Sequence, residues 1–189
     1  AEDWAGAAVA SDCDLNGDGF DDLIVGAWGQ DGAGTTSGAV YVLYGPVTGT
    51  VPLASADAVL LGEGPGDWAG WSLACAGDTN GDGNDDLIVG AYRDDDGGVD
   101  PGAAYLLLGP VAPGTAGLAA RASSKLVGES PFDYAGASVA GAGDVDGDGF
   151  DDVLVGAWGR DEAGSAAGIA YLVLGPLPAL VPLALADAR

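Results

Sequence analysis

Aspartate and asparagine residues recur at alternate positions of three short, glycine-rich segments. The first segment runs Asp14-Leu-Asn-Gly-Asp-Gly-Phe-Asp-Asp22, and the same spacing returns from Asp78 to Asp86 and from Asp144 to Asp152. Carboxylate and amide oxygens at alternate residues of a tight loop point towards one centre, and six to eight such oxygens are what Ca²⁺ prefers. The three segments therefore predict three calcium sites.

The side-chain ligands of each predicted site come from positions 1, 3, 5 and 9 of its segment, and position 7 contributes a backbone carbonyl. The predicted ligand sets are Asp14, Asn16, Asp18, Phe20 and Asp22; Asp78, Asn80, Asp82, Asn84 and Asp86; and Asp144, Asp146, Asp148, Phe150 and Asp152. Only the third set has four ligand carboxylates. Aspartate, asparagine and glycine also form tight turns that hold no metal, but three copies with one ligand spacing favour metal binding.

Two features separate these segments from an EF-hand. An EF-hand loop has a glutamate at position 12, where this chain has Val25, Val89 and Val155, and an apolar run follows in place of a helix. The aspartate at position 8 of each segment is not predicted as a ligand, because its side chain either bonds the turn backbone or faces water. These position-8 residues are Asp21, Asp85 and Asp151.

Essentially the whole chain consists of copies of one unit, whose predicted loops begin 64 residues (78 − 14) and 66 residues (144 − 78) apart. Short apolar runs separated by turn residues predict four strands per unit, at about residues 5–10, 22–28, 38–44 and 57–62 in the first copy. The second of these runs is continuously apolar, which suits a strand that is covered on both faces. We expect an all-β chain with units 1–61, 62–127 and 128–189, and helix only in a short turn near 116–124.

The units resemble the FG-GAP repeats of integrin α subunits. The Phe-Gly of that name becomes Ala5-Gly6, Ala69-Gly70 and Ala135-Gly136, and its Gly-Ala-Pro becomes Gly-Ala-Trp at 26–28 and 156–158 and Gly-Ala-Tyr at 90–92. The resemblance implies four-stranded blades of a β-propeller, with a calcium ion in most of the loops. It also implies an extracellular or cell-surface module that adheres to a protein or glycan, although it does not name that ligand. A purely structural repeat segment of a larger secreted protein is the alternative.

Three blades do not close a propeller, because closed rings have four to eight blades. Either the chain is a fragment of a longer array, or two chains form a homodimer that closes a six-blade ring. The run from Val51 to Asp57 is echoed from Val181 to Asp187, but the strand that should follow the second run is missing. We expect that the chain ends inside a blade.

Composition limits the partners and the chemistry. Twenty-nine acidic residues against five basic ones give a net charge of −24, which disfavours nucleic acid and anionic membrane surfaces. No apolar run is long enough for membrane insertion, and the N-terminus lacks a signal pattern, so we expect a mature or excised piece.

Hydrolysis by common triads is excluded because the chain has no histidine and no serine in a nucleophile elbow. Paired carboxylates can hydrolyse glycosides, but the one acidic run outside the loops, Asp94-Asp-Asp96, has no match in the other copies. A glycoside- or ester-cleaving enzyme is therefore the less favoured alternative, and we expect no enzyme activity.

Two cysteines and a set of aromatic residues have open interpretations. Cys13 and Cys75 each precede a predicted calcium loop, where they form either a disulfide or two buried thiols. Trp28, Tyr92 and Trp158 occupy equivalent positions and either line a ligand surface or pack between blades. The packing interpretation applies more strongly to Trp4, Trp68 and Trp71.

Overall fold

The first repeat folds into one antiparallel sheet. The computed structural model describes residues 2–160 and 167–189. In this sheet, blade 1, successive strands pair in the order of the sequence; the strands are β1 (Ala8–Ala10), β2 (Leu23–Ala27), β3 (Ala39–Leu43) and β4 (Ala58–Leu61). The four predicted strands of the first copy are therefore present, each slightly shorter than predicted.

The second and third repeats form blades 2 and 3 in the same way. The strands of blade 2 are β5 (Ser72–Gly77), β6 (Asp86–Ala91), β7 (Ala103–Leu107) and β9 (Ser124–Val127), with β8 (Gly114–Gly117) and the short helix α1 (Leu118–Arg121) between the last two. The strands of blade 3 are β10 (Ala135–Gly143), β11 (Asp152–Ala157) and β12 (Ile169–Val173), and β13 (Leu180–Pro182) follows them. A single bridge from Leu172 to Ala188 stands where a fourth strand of blade 3 would begin.

The predicted all-β fold is confirmed, because helix in the described residues is limited to α1 and two 3₁₀ turns, Leu53–Ser55 and Leu183–Leu185. The described helices are all too short to span a membrane.

The core lies between neighbouring blades. One apolar cluster joins Ile24 and Val42 of blade 1 to Leu87 and Val89 of blade 2. A second joins Ile88 of blade 2 to side chains of blade 3. Every residue of β6 is buried, because the central strand of the middle blade is covered on both faces, as its unbroken apolar sequence predicts.

Adjacent blades are also linked by an exchanged strand and a covalent bond. β8 leaves blade 2 and pairs in parallel with β4 of blade 1, and β13 pairs in parallel with β9 of blade 2. Cys13 and Cys75 form a disulfide across the first junction, with their Cα atoms 5.6 Å apart. The disulfide interpretation of the two cysteines is therefore the one that the structure contains, and such bonds persist in oxidising compartments.

Candidate metal centres

All three predicted calcium loops lie at one edge of the blades, which we call the loop edge. Each loop connects the first strand of its blade to the second, so the loop of residues 14–22 ends where β2 begins. Glycine at position 6 makes the sharp turn possible, since Gly19 has a φ of 87°, a value that disfavours residues with a β-carbon. Gly83 and Gly149 repeat this conformation.

The first aspartate organises its loop. In loop 1, one carboxylate oxygen of Asp14 accepts the N–H groups of Gly17 at 2.8 Å and Asp18 at 3.0 Å, and the other accepts that of Gly19 at 2.7 Å. Donation from these backbone groups, chiefly Gly19, lowers the pKa of Asp14. Asp78 and Asp144 accept the corresponding three bonds in their own loops, so the three loops share one backbone conformation.

Position 5 of every loop is exposed, whereas position 3 is exposed in loop 3 and half-buried in loops 1 and 2. In loop 3, Asp146 accepts the N–H of Asp148 and Asp148 accepts that of Phe150, each at 3.0 Å. Within the described residues, the second carboxylate oxygen of each side chain accepts no hydrogen bond. Oxygens of Asp144, Asp146 and Asp148 lie within 4.8 Å of one another, so this loop brings three of its predicted ligands together.

Position 9 is different, because its side chain is buried beneath the loop. Asp22 has 0% exposure, and its two oxygens accept N–H groups from Leu15 at 2.9 Å and from Gly45 at 2.8 Å. Burial raises the pKa of Asp22, while the bonds from Gly45 and Leu15 oppose that shift. Asp86 and Asp152 are equally buried and make equivalent bonds. The position-9 aspartate thus fixes the loop to the end of the third strand. This anchoring role does not depend on whether the side chain also ligates a metal.

Position 8 has a role that sequence reasoning missed. The carboxylate of Asp85 accepts the N–H of Asp14 at 2.9 Å, and Asp151 accepts that of Asp78 at the same distance. Each therefore binds the loop of the preceding blade rather than its own turn. Because this contact joins residues 71 and 73 positions apart, only the spacing of the repeats could have indicated it.

The donor atoms of the three loops fit calcium. Each loop presents exposed or half-buried side-chain oxygens from positions 1, 3 and 5 on a backbone that is already held in its turn. Calcium takes such hard oxygen ligands in flexible geometry. None of the predicted ligands is a nitrogen or sulfur donor that would favour zinc. In loops 1 and 2 the amide nitrogens of Asn16 and Asn80 donate to Asp18 at 2.8 Å and to Asp82 at 2.9 Å. A bound cation would replace those donors at the same carboxylates.

One cluster of acidic residues outside the loops is bridged by a lysine side chain. Lys125 Nζ lies 2.8 Å from Glu63, 3.0 Å from Asp94 and 2.6 Å from Asp96. The buried Tyr105 donates its hydroxyl proton to this cluster, which lies between blades 1 and 2. This ammonium group occupies the position that a metal would take, so we assign the cluster a structural role.

Aromatic side chains form a second feature, at the opposite edge of the same blades. Successive ring centroids lie 4.6 to 5.8 Å apart along a row that crosses all three blades; its members are Trp4, Trp28, Trp68, Trp71, Tyr92, Tyr134 and Trp158. We call this row the aromatic edge. The expectation that Trp4 and Trp71 are packing residues is wrong in part, because they are 54% and 36% exposed. Trp158 is 55% exposed, so the row has both a packed interior and an open surface.

Comparison with known proteins agrees with the repeats seen in the structure. A family model described as "FG-GAP repeat" matches residues 5–43, 69–107 and 135–173. The chain is 38% identical to human integrin alpha-7 over 151 residues, which are 76% of this chain and 11% of that protein. It is 34% identical to integrin alpha-5 of Xenopus laevis over 78% of this chain and 14% of the relative. It is 35% identical to integrin alpha pat-2 of Caenorhabditis briggsae over 87% of this chain and 14% of the relative.

The matched residues are those that build the blades: each match begins at or just before the first strand of a blade and ends with its third strand. The chain spans only 11 to 14% of the length of these three relatives, so the likeness concerns the repeats. With three matches that together cover more than half of its length, the chain belongs to the FG-GAP repeat family, and its sheets are blades of a partial β-propeller.

Proposed function

We propose that this chain is a calcium-binding propeller module that acts outside the cell, with one structural calcium ion in each of its three loops. The observation that carries the proposal is the repetition of one loop geometry. In each loop the same three backbone N–H groups hold the first aspartate, and the side chain of position 5 remains exposed beside it. The disulfide and the likeness to integrin α subunits support an extracellular location.

Calcium has a structural task at these positions. Two or three carboxylates at positions 1, 3 and 5 of one loop repel each other, and the cation removes that repulsion while it fixes the turn between two strands. Three bound ions change the net charge only from −24 to −18 (−24 + 3 × 2). Most of the negative charge is therefore independent of the sites.

Isothermal titration of chelator-treated protein tests the proposal, and we expect three calcium ions per chain. The position-5 variants Asp18→Ala, Asp82→Ala and Asp148→Ala should each lower that number to two, because position 5 is exposed and holds no buried backbone group. Asp95→Ala is the matched control, since Asp95 is an exposed acid outside the loops, and it should still bind three. Absence of calcium binding in the parent chain would refute the proposal.

We propose further that the aromatic edge is the adhesive surface for a protein or glycan. Exposed rings of Trp4, Trp71 and Trp158 lie in one row, and amphipathic aromatic side chains are enriched where proteins bind partners. Arg93 already lies over the Trp68 ring at 5.0 Å, which shows that the row accommodates a planar polar group. No catalytic role is proposed for any residue of this surface.

Arrays of glycans and matrix proteins, probed with the calcium-loaded chain, test this surface. We expect at least one ligand whose binding is weakened about tenfold or more by Trp158→Ala. Val99→Ala is the control, because Val99 is equally exposed at 57% and lies outside the row. If every ligand found is bound equally by the Trp158 variant, the aromatic edge is not the adhesive surface.

A further inference from the structure

The two junctions between blades are built from the same contacts. Leu87 and Val89 of blade 2 pack on the face of blade 1 that carries Ile24. One junction along, Val153 and Val155 of blade 3 pack on the face of blade 2 that carries Ile88. Each blade thus has a leading face that covers the blade before it and a trailing face that is covered by the blade after it.

Polar contacts and strand exchange repeat in the same way. The position-8 aspartate of each following blade accepts a loop N–H of the preceding blade, as Asp85 does from Asp14 and Asp151 from Asp78. β8 and β13 each extend the sheet of the preceding blade by one parallel strand. A junction therefore consists of two apolar faces, one aspartate contact and one donated strand.

Both halves of a further junction are exposed at the two ends of the molecule. On the leading face of blade 1, Leu23 is 41% exposed, whereas the equivalent Leu87 and Val153 are 0% exposed. On the trailing face of blade 3, Leu154 is 37% exposed, whereas Ile88 at the equivalent position is 0% exposed. The apolar halves of the junction are thus present but uncovered.

The polar groups that form the junction elsewhere are also unpaired on these two faces. Among the described residues, the side chain of Asp21 accepts no hydrogen bond, and the N–H of Asp144 donates none. Residues 50–52 correspond to β13, yet within the described part of the chain they pair with no strand. The leading side of blade 1 therefore offers a carboxylate, and the trailing side of blade 3 offers the N–H group that it would accept. The fourth strand on which residues 50–52 would pair is represented in the described part of blade 3 by the single bridge at Ala188.

We propose that blade 1 of one chain docks on blade 3 of a second copy, head to tail, through the apolar faces and the aspartate contact of this junction, so that two chains form a closed six-blade ring. The second copy is the occupant because the exposed halves on one molecule complement each other and continue an interface that the chain already forms twice. Isologous pairing of two blade 1 faces would leave the Asp21 carboxylate without the N–H donor that Asp85 and Asp151 have. Because each copy carries −24, added salt should strengthen the association by screening repulsion between the copies.

Sedimentation velocity of the full chain at concentrations up to about 100 μM tests the proposal. We expect a species of 36.6 kDa (2 × 18.3 kDa), with a fraction that increases with salt. Leu23→Asp and Leu154→Asp should each give a folded monomer, as checked by circular dichroism. Val99→Asp is the matched control, since Val99 is an exposed apolar residue on neither face, and it should remain dimeric.

A mixture of the two monomeric variants provides the decisive test of the head-to-tail arrangement. In a head-to-tail pair of one Leu23→Asp chain with one Leu154→Asp chain, both substitutions fall in one junction and the other junction is intact. The mixture should therefore recover a dimer that neither variant forms alone. A parent chain that stays monomeric, a dimer that survives both substitutions, or a mixture that stays monomeric would overturn the proposal. Assemblies that grow beyond two chains would overturn closure of the ring.

Discussion

The loop edge and the aromatic edge terminate the same strands, yet they are held together differently. Most hydrogen bonds that shape a loop join residues within one segment, as in Asp14 with Gly17, Asp18 and Gly19. The exceptions are the position-8 contacts and the bond from the residue after the third strand to the position-9 aspartate. At the aromatic edge the ring contacts cross from blade to blade, as between Trp28 and Trp68 or between Tyr92 and Tyr134. The difference indicates that the loop edge depends on local polar order, to which the proposed calcium ions would add, whereas the aromatic edge depends on packing between repeats.

The largest effect is expected from the buried aspartate beneath a loop. Asp86→Ala leaves the N–H groups of Thr79 and Gly109 without their acceptor in a site of 0% exposure, which should lower the free energy of unfolding by about 4 kcal/mol. The loss should be present with and without calcium, as measured by urea denaturation.

The exposed Asp82 provides the contrast to Asp86 within one loop. Asp82→Ala should lower stability in calcium and change it little in chelator, because its predicted role is to bind the ion. Equal behaviour of the Asp86 and Asp82 variants in the two buffers would contradict the division between position 9 and position 5.

At the aromatic edge, Trp28→Ala should lower the free energy of unfolding by about 3 kcal/mol, because the ring contacts three other tryptophans. Trp158→Ala is the control with one ring contact, to Tyr134, and should lower it by about 1 kcal/mol. Neither loss should depend on calcium. A Trp28 variant that is destabilised only after chelation would show that the two edges are coupled.

The buried Asp67, beside this row, should make the free energy of unfolding fall as the pH rises. Burial raises the pKa of Asp67 to about 6 from its ordinary value of 3.8, so the folded chain holds this proton more tightly than the unfolded chain. The resulting stability is fully present below about pH 4 and is lost as the pH rises towards 6.

Asp67→Asn removes this titration, and the variant should be more stable than the parent by about 2 kcal/mol at pH 7. The two proteins should be nearly equal at pH 4, as measured by urea denaturation at both pH values. Asp133→Asn is the comparison, since Asp133 lies 3.4 Å from Arg160, and loss of that ion pair should give no stabilisation. A parent and an Asp67 variant that respond identically to pH would contradict the role of burial.

The smallest expected effect is on calcium affinity, and it distinguishes loop 3 from loops 1 and 2. Loop 3 has aspartate at position 3, where loops 1 and 2 have Asn16 and Asn80. Asp146→Asn should weaken calcium binding at that loop by about tenfold, or about 1.4 kcal/mol, as measured by titration calorimetry. Because the substitution also removes a repulsive carboxylate, it should slightly raise stability in chelator. Unchanged affinity would indicate that Asp146 does not ligate the ion.

Much of the fold could be predicted because the information was local. The glycine-rich turns and apolar runs placed the four strands of blade 1 within a few residues, and the repeat spacing placed their copies. The aspartates at positions 1, 3 and 5 could be assigned to one loop edge for the same reason.

What the sequence did not indicate arises from contacts between repeats. The bonds from Asp85 and Asp151 to the preceding loops, the strand exchange of β8 and the exposure of Trp4 all depend on how blades stack. The burial of Asp22 also depends on Gly45, which lies 23 positions away. Such pairings leave no pattern within a single segment.

Thermal unfolding in calcium and in excess chelator, followed by circular dichroism with tryptophan fluorescence as a second probe, tests the central claim most directly. Three sites at about 100 times their dissociation constants contribute about 8 kcal/mol together, so chelation should lower the melting temperature by at least about 10 °C. Below the transition, the fluorescence of the aromatic edge should be unchanged by chelation. An identical melting temperature in both buffers would contradict the account.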